Sequence, residues 1–506
     1  MSDNNENNEK SQEIYGNSYS NVISNIPQNS SLSPEIFLDD NIPPDQEIPP
    51  EYIIEKRKNN TWIYFVLGLF GLLCVGVFIT LLYLLFFDNN IKQNPNILTQ
   101  QITLTWWGPL EEKEIYSKAI AEYEKRNPLV KISYEKNEKK GYRELLDAKI
   151  RNGKGPDIFM YHNTWLRQIK DISSTMPEDM MTEQQFSENF YPVHKKDLVI
   201  SGKIYGLPAE IDGLMLLYNP EILKQNNILS PPRSWTEDLQ QVAKTITTRN
   251  VQGAITISGI GLGTSRNISY FSDILTTIIM QNKGNYYAFS SKEAKEGISF
   301  YTSFYEKGIW DETLPDTITA FSQGKVAMIF APATDVNKIK ELNPDIQVRI
   351  TQVPRSPNGN TFSLASYWAY GVSASSQNQL ESWKFLNFLS SPEVEQLIFA
   401  EQSKNKLVPS AYARKSIASL MLPDQYLGPI LQQAPFFETA PMCDNTLDSG
   451  INDYNIRYVS NMITSIIENK DANQSDKKEN NPYEIAEKGI TDKLKLFGYI
   501  EKKNLW

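Results

Sequence analysis

The amino-acid sequence predicts an α/β fold for most of this 506-residue chain, preceded by a polar tail and one membrane-spanning helix. Three observations support this prediction. Short β-prone segments alternate with segments of helical periodicity from Gln101 onward, which is typical of an α/β sheet protein. The hydrophobic fraction of 40% is sufficient for a sizeable core. An uncharged run of 26 residues stands before the α/β part, as a membrane span would require.

Composition excludes several kinds of function. The chain carries 50 basic and 60 acidic residues, a formal net charge of −10, which argues against a nucleic-acid partner. With only two Cys and two His, an internal disulfide framework and a Cys/His zinc site are excluded. The sequence predicts no metal site and no cofactor.

Residues 1–60 are predicted to be a disordered cytoplasmic tail. They are rich in Asn, Ser and Pro, carry 11 acidic and 4 basic side chains, and show little hydrophobic periodicity. Such a segment buries too little apolar surface to offset the entropy of ordering. A plain solvated tail is favoured over a partner-binding tail.

The next segment, residues 61–87, is predicted to be one transmembrane helix. Its uncharged run would extend about 39 Å as a helix, longer than the ~30 Å hydrocarbon core of a bilayer. Trp62 and Tyr83 fit the aromatic belts at the two membrane interfaces. The run is too long for a cleaved signal peptide. The bulky Leu73 before Cys74 argues against a lipid-attachment cysteine.

Charge asymmetry orients this helix. Three adjacent basic residues, Lys56, Arg57 and Lys58, precede it, whereas the tether that follows at residues 88–100 holds a single lysine. The positive-inside bias therefore places the N-terminus in the cytoplasm and residues 101–506 outside the cell. The tether can reach at most about 45 Å.

The first strands of the outer domain have the clearest signals. The predicted strands and the helices between them are residues 102–107, 111–126, 130–134, 142–151 and 157–160. Their alternation predicts a parallel sheet, whose ligands bind beyond the carboxyl ends of the strands. Trp107 and Gly108 occupy that end of the first strand, and His162 and Asn163 follow the third strand.

Later segments repeat these patterns. Further extended segments and strands are predicted at residues 204–208, 214–218, 326–330 and 348–353. Further helices are predicted at residues 268–281, 291–307, 316–323, 379–389, 392–402, 453–469 and 483–495, with another starting near Trp235.

Seven motifs occur in order between residues 101 and 469. They are ITLTWWGP (102–109), GKGPDIFMYHNTW (153–165), GKIYGLPAEIDGLMLLYNPEIL (202–223), PPRSWTEDL (231–239), FSQGKVAMIF (321–330), SYWAYGVSASSQNQLESWKFLNFLSS (366–391) and LVPS (407–410). In this order they resemble the extracellular solute-binding proteins typified by maltose-binding protein. Those proteins are the substrate-capturing subunits of ABC-type sugar importers.

The resemblance implies a two-lobe periplasmic-binding-protein-like (type II) fold, with a solute-binding cleft between two hinged α/β lobes. Lobe one would comprise about residues 101–210 and 353–407, and lobe two about residues 211–352 and 408–506. Chain crossings would lie near residues 209–214 and 352–354. Solute would favour the closed state because only closure lets both lobes contact it.

A sugar has apolar faces and a rim of hydroxyls, which suit aromatic rings and Asp, Asn or Glu side chains. By motif position, the resemblance implies ligand-binding roles for Trp107, Gly108, His162, Asn163, Asp212, Tyr270, Trp368 and Tyr454. Asp212 either lines the cleft or makes a hinge-loop hydrogen bond, and Trp368 lies in a locally aromatic strand. Trp106 is expected in the core rather than at the ligand.

The predicted function is capture of a carbohydrate, an oligosaccharide, by a membrane-anchored extracellular monomer that delivers it to an ABC-type permease. Two features depart from the family: sugar binders often carry a Trp where this chain has Thr334 and Asp335, and family members are usually secreted or lipid-tethered. A cell-surface sensor or adhesion module for a non-sugar solute is the alternative. Catalysis is not expected, because no carboxylate pair stands out and Lys154 lacks the spacing of a phosphate loop.

Overall fold

The computed structural model describes residues 62, 68, 71, 73, 75–82, 101–357, 361–469 and 481–500. Internal contacts separate the chain into two units, residues 1–92 and 93–506. In the first unit, the described residues are helical and their apolar side chains are exposed. The predicted tail, the tether and much of the predicted transmembrane helix lie outside the described residues. Over the part that is described, no helix combines the length and the apolarity needed to cross a bilayer.

The second unit alternates strands and helices along the chain. Its described strands are β1 (Ile102–Gly108), β2 (Val130–Lys136), β3 (Ile158–His162), β4 (Val199–Ile200), β5 (Lys203–Ile204), β6 (Leu207–Pro208), β7 (Met215–Tyr218), β8 (Thr248–Arg249), β9 (Ile255–Ile257), β10 (Met328–Ala331), β11 (Arg349–Thr351), β12 (Ser363–Leu364), β13 (Trp368–Val372) and β14 (Phe437–Glu438). Its described α-helices are α1 (Lys113–Arg126), α2 (Tyr142–Arg151), α3 (Leu166–Ile169), α4 (Glu183–Asn189), α5 (Pro192–Leu198), α6 (Pro220–Gln225), α7 (Glu237–Ile246), α8 (Phe271–Gln281), α9 (Lys292–Glu306), α10 (Thr317–Ser322), α11 (Asp335–Leu342), α12 (Gln379–Leu389), α13 (Pro392–Gln402), α14 (Lys415–Ala418), α15 (Leu427–Gln433), α16 (Ile451–Asn469) and α17 (Pro482–Leu496).

Capping residues fix the start of several helices. Asn219 accepts hydrogen bonds from two backbone N–H groups of α6, and Pro220 occupies the first helical position. Ser291 caps α9 and Asp316 caps α10 in the same manner. Each cap satisfies a backbone donor that has no partner within the helix, so these boundaries follow from the local sequence.

Lobe one is built on a five-stranded sheet with the order β2-β1-β3-β13-β6. Strands β1 and β2 pair in parallel along their whole length, and β3 pairs in parallel with the other edge of β1. Strand β13 instead pairs antiparallel with β3, which sets Trp368 opposite His162. The parallel sheet predicted from the first three strands is therefore confirmed for β1–β3, and β13 adds an antiparallel strand to it.

The direction of β13 follows from where the chain comes from. Strands β1 and β3 end at the edge of lobe one that faces lobe two, whereas β13 begins there because the chain has just crossed from lobe two. A strand that enters a sheet at the edge where its neighbour ends must run antiparallel to it. Local periodicity in the sequence carries no information about this long-range connection.

Lobe two contains a three-stranded antiparallel sheet with the order β10-β7-β11. Two chain crossings, residues 209–214 and 364–368, run side by side between the lobes. The Ser366 N–H donates to the Asp212 carbonyl at 3.0 Å, and the Leu214 N–H donates to the Leu364 carbonyl at 2.8 Å. The first crossing coincides with the predicted one.

The second connection between the two sheets runs from residue 352 to residue 367, and the predicted crossing near 352–354 falls at its start. Gln281 of α8 donates through Nε2 to the carbonyls of Pro354 (3.2 Å) and Phe362 (2.6 Å), which ties this stretch to lobe two. Gly213 is required at the first crossing, because a Cβ there would lie 2.4 Å from the Leu364 carbonyl oxygen.

Trp106 anchors the core of lobe one. It is fully buried and makes edge-to-face contacts with Tyr134, Tyr370 and Phe385. Its prediction as a core residue is confirmed. The alternation along β1 turns the side chains on either side of Trp106 to the opposite face of the sheet.

Candidate functional site

A cavity of about 210 Å³ lies between the two lobes, where the two chain crossings meet. Both lobes contribute to its lining, and most of the lining side chains are polar, charged or aromatic. Four of the predicted ligand-binding residues are brought together there: His162, Asp212, Tyr270 and Trp368. Such a composition suits a small polar ligand with apolar faces.

Strands β3 and β13 form the lobe-one wall of the cavity. The rings of Trp368 and His162 lie 5.7 Å apart at 79°, and the ring of Trp165 packs edge-on against Trp368 at 5.1 Å. Trp368 is 5% exposed, so its ring is held rigidly. Packing on both sides therefore fixes an aromatic surface at the cleft before any ligand arrives.

His162 supports this wall as a neutral, hydrogen-bonded ring. Its Nδ1 lies 2.8 Å from the Thr164 hydroxyl and its Nε2 lies 3.1 Å from the Ser366 hydroxyl. Burial, with the nearby Lys139 cation in addition, lowers the pKa of His162 to about 3. The ring therefore stays uncharged throughout the physiological pH range.

Asp212 has both roles that the sequence left open. It lines the cavity, and its Oδ1 accepts a hydrogen bond from the Gly213 N–H at 2.8 Å within the first crossing. Its Oδ2 accepts from the Thr334 hydroxyl of lobe two at 3.0 Å. Burial, with the neighbouring Glu210 charge in addition, raises the pKa of Asp212 to about 7.

Tyr270 and two carboxylates form much of the lobe-two wall. The Tyr270 hydroxyl donates to Asp335 Oδ2 at 2.7 Å, and its backbone N–H donates to Asp444 Oδ2 at 2.8 Å. Tyr270 has a φ of 62°, a left-handed conformation that is strained for an aromatic residue. Its two hydrogen bonds hold that conformation, which turns the hydroxyl toward Asp335.

Several charged residues of the cleft were missed by the sequence analysis. Lys139 follows the carboxyl end of β2, and Asp335 follows the strand β10 and the turn after it. The rule that pointed to the residues after β1 and β3 would have found Lys139, had it been applied to β2, whereas Asp335 was noted only as standing where sugar binders often carry a Trp. Glu111 and its ion-pair partner Lys406, 2.5 Å away, come from distant segments that only the fold brings together.

The other four predicted residues lie outside the lining of the cavity. Trp107 is half-buried with its carbonyl accepting from the Tyr142 hydroxyl, and Gly108 packs against Met160. Asn163 is buried and donates to Asp197 and Thr439. Tyr454 contacts Tyr458 and Lys493 in the packing of α16 and α17.

Asn163 directly follows the cavity-lining His162 in the chain, but its side chain is bonded within the protein. Its Nδ2 lies 3.0 Å from Asp197 Oδ2 and 3.1 Å from the Thr439 hydroxyl, and its Oδ1 accepts from the Tyr367 N–H. The hydrogen-bonding capacity of the side chain is thus largely used inside the protein.

Among the residues that the structure describes, no group of His, Cys, Asp and Glu is arranged to hold a metal ion.

The family model for bacterial extracellular solute-binding proteins matches residues 118–418, more than half of the chain. A putative binding protein of Brucella abortus (strain 2308) is 25% identical over 278 residues, covering 53% of this chain and 66% of that protein, just under two thirds. The maltotriose-binding protein of Pyrococcus abyssi is 22% identical over 297 residues, which cover 56% of this chain and 61% of that protein. The galactooligosaccharide-binding protein of Bacillus subtilis is 21% identical over 364 residues, covering 67% and 79%.

Solved structures show the same architecture. A cyclo/maltodextrin-binding protein with maltotetraose superposes with a TM-score of 0.63 at 16% identity, covering 78% of this chain and 98% of that one. A cyclic alpha-maltosyl-1,6-maltose binding protein from Arthrobacter globiformis gives 0.62 at 16% identity, covering 78% and 100%. These likenesses confirm the predicted two-lobe, type II fold. The chain therefore belongs to the bacterial extracellular solute-binding proteins, a family of binding proteins rather than enzymes, as the sequence predicted.

Proposed function

We propose that this protein captures a carbohydrate, an oligosaccharide, in the cleft between its lobes and delivers it to an ABC-type permease. The observation that carries the proposal is the lining of the cleft. A fixed aromatic ring, Trp368, comes from one lobe, while Asp335 and the Tyr270 hydroxyl come from the other. An aromatic face suits the apolar face of a sugar, and carboxylates accept hydrogen bonds from its hydroxyls.

The relatives support the chemical class of the solute. Two of them are described as binding proteins for maltotriose and for galactooligosaccharides, which are neutral oligosaccharides. We propose the same class for this chain, with contacts to both lobes stabilising the closed arrangement over an open one. The permease and its ATPase would be separate chains, and the binding protein is proposed to act as a monomer.

We also propose that residues 62–87 anchor the protein in the cell membrane, with the N-terminus in the cytoplasm and the binding domain outside. The support is the uncharged run itself and the basic cluster before it. Protease added to intact cells tests this arrangement. It should remove the binding domain and leave a membrane-bound N-terminal fragment, and release of the whole chain on washing in alkaline carbonate would contradict the anchor.

Thermal unfolding of the purified protein against a panel of sugars, polyols and peptides tests the binding function. A ligand that binds only the folded state raises the unfolding midpoint, and it stabilises by about 2.7 kcal/mol at a hundredfold excess over its Kd. An oligosaccharide-dependent shift without turnover of the sugar is the expected result. A shift with peptides alone would contradict the carbohydrate proposal and favour a sensor or adhesion role.

A further inference from the structure

The cleft carries more negative than positive charge. Five carboxylates line it, those of Glu111, Glu210, Asp212, Asp335 and Asp444, together with the ammonium groups of two lysines. Glu111 is neutralised by its ion pair with Lys406. The carboxylates of Glu210, Asp335 and Asp444 then face the ammonium of Lys139, together with the carboxyl group of Asp212, whose pKa is raised to about 7, so that negative charge predominates.

The four remaining carboxyl groups have hydrogen-bond donors, but lysine charges act on them only from beyond ion-pair distance. Asp335 and Asp444 accept from Tyr270, and Asp212 accepts from Thr334. Within the described ranges, none of the four has a basic nitrogen within ion-pair distance. Burial raises the pKa values of Glu210, Asp212 and Asp335, and it outweighs the opposing charges of Lys406 at Glu210 and of Lys338 and Lys139 at Asp335.

Lys139 shows how this cleft accommodates a cation. Its Nζ lies over the Trp368 ring, 5.8 Å from the ring centroid. The carboxylates whose charges act on it come from both lobes: Glu210 from one, and Asp335 and Asp444 from the other. An aromatic face combined with surrounding carboxylates is the environment in which proteins recognise ammonium groups. One ammonium is thus supplied by the chain itself, and the negative excess remains.

A second feature of the same wall is a buried hydroxyl group without a hydrogen-bond partner. Thr446 lines the cavity two residues after Asp444 and is 2% exposed. Its hydroxyl has no hydrogen-bond partner among the described residues, although a buried hydroxyl without a partner costs free energy. A ligand N–H or O–H donor beside Asp444 would satisfy it.

We propose that the preferred solute carries a protonated amine, so that within the carbohydrate class it is an oligosaccharide containing an amino sugar with a free amino group. This rests on the proposed function of the cleft as a carbohydrate site. The amine would bind near Asp335 and Asp444, where it supplies the missing positive charge, while the rest of the sugar packs against Trp368. A neutral sugar of the same shape would leave the carboxylates without a counter-charge.

Matched sugars test the proposal directly. Isothermal titration calorimetry on the full chain in detergent micelles, at neutral pH, would compare β-1,4-linked oligomers of glucosamine, N-acetylglucosamine and glucose of equal length. Galactosamine and galactose form a second pair. The amine-bearing sugar should bind about tenfold or more tightly than its neutral counterpart, since each tenfold step corresponds to ~1.4 kcal/mol.

The outcomes separate this inference from the function it rests on. Equal or tighter binding of the neutral sugars would overturn the amine preference and leave the carbohydrate function standing. Absence of binding by every sugar in the set, with or without an amine, would overturn both. If an aliphatic polyamine binds and none of the sugars does, the charge preference stands and the carbohydrate function is overturned.

A charge-neutralising variant locates the amine. Asp335→Asn keeps an oxygen that can accept from the Tyr270 hydroxyl, and it should reduce the amine-to-neutral preference by about fivefold or more at this partly buried site. Glu341→Gln is the control, because Glu341 lies on the same helix α11 and is exposed to solvent. An unchanged preference in Asp335→Asn would contradict the proposed position.

Discussion

Trp368 lies directly opposite His162 in the antiparallel pair of β13 and β3, with their rings 5.7 Å apart and nearly perpendicular. His162 also reaches the Ser366 hydroxyl, two residues before Trp368. The aromatic surface of the cleft is thus braced by a ring that stays neutral across the physiological range. Changes of pH in that range should leave the position of Trp368 unaltered.

Replacing Trp368 should weaken ligand binding more than it affects folding. The Trp368→Leu variant keeps apolar volume, so its loss of stability should be below the ~3–5 kcal/mol of truncation to Ala. The Kd of an established ligand should rise about tenfold or more, the scale of an aromatic hot spot. Calorimetric titration measures the Kd, and circular dichroism checks the fold.

Trp383 offers a matched control for that experiment. It is a buried tryptophan of α12, outside the lining of the cleft, with Nε1 near the Ser174 hydroxyl. Trp383→Leu should lower the unfolding midpoint without changing the Kd. An equal loss of affinity in both variants would indicate a general effect on packing and remove Trp368 from the site.

Asp212 predicts a pH-dependent stability of the ligand-free protein. Its pKa is raised from 3.8 to about 7 in the folded state, so between these values the folded protein binds more protons than the unfolded chain. The free energy of unfolding contributed by this group therefore falls as the pH rises from about 4 to about 7. Urea unfolding at pH ~5 and ~7 measures this decrease in the free energy of unfolding. In Asp212→Asn the decrease should be smaller than in the wild type, by ~1–3 kcal/mol at most.

Other buried carboxyls contribute with the same sign and remain in that variant. Burial raises the pKa of Asp197 to about 6 and that of Glu395 to about 8. The pH dependence of the free energy of unfolding should therefore be weaker in Asp212→Asn than in the wild type, but still present. A slope identical to that of the wild type would show that Asp212 does not hold its proton in the folded protein.

The Thr334 hydroxyl links lobe two to the carboxylate of the first crossing. Thr334→Val keeps the shape of the side chain and removes this donor, so it should destabilise the protein by ~1 kcal/mol or more. Thr334→Ser, which keeps the hydroxyl, should retain most of the wild-type stability. Equilibrium unfolding in urea distinguishes the pair, and a loss in Thr334→Ser as large as that in Thr334→Val would contradict the dominant role of the hydroxyl.

Substitution of Asn163 distinguishes a structural role of this residue from a ligand-binding role. Its amide donates to Asp197 and Thr439 and accepts from the Tyr367 N–H, so Asn163→Ala removes these buried hydrogen bonds, leaves the Tyr367 N–H without this acceptor and should cost ~1–3 kcal/mol of stability. Ligand affinity should change less than threefold, about 0.6 kcal/mol. A large loss of affinity with normal stability would support the sequence-based expectation that Asn163 contacts the solute.

The local parts of the fold could be predicted from the sequence, because they depend on neighbouring residues. Strands β1–β3 and their two helices follow from alternation and periodicity, and the helix starts follow from caps such as Ser291. The antiparallel β13 could not be derived in this way, since its direction depends on a connection through the other lobe. The short helices between residues 183 and 198 were also missed, because each has too few turns for a periodic pattern.

The candidate site shows the same difference between residues that local sequence identifies and residues that only the fold brings together. His162 and Trp368 were found because their motifs place them at the ends of strands. Tyr454 was placed by motif position alone, and the packing of α17 on α16 determines which face of its helix it occupies. Lys406 and Glu111 meet although they are almost 300 positions apart in the chain. No pattern of local spacing could have paired them.

The second crossing ends at the residue that forms the aromatic surface of the cleft. Residues 364–366 bond to the other crossing, and Trp368 is the first residue of β13. The segment that must bend when the lobes move is therefore continuous with the segment that the solute would press upon. A ligand that displaces the Trp368 ring would therefore act directly on the second crossing, without transmission through the core of either lobe. Under the proposed function, contact with the solute and movement of the lobes would both involve the five residues 364–368.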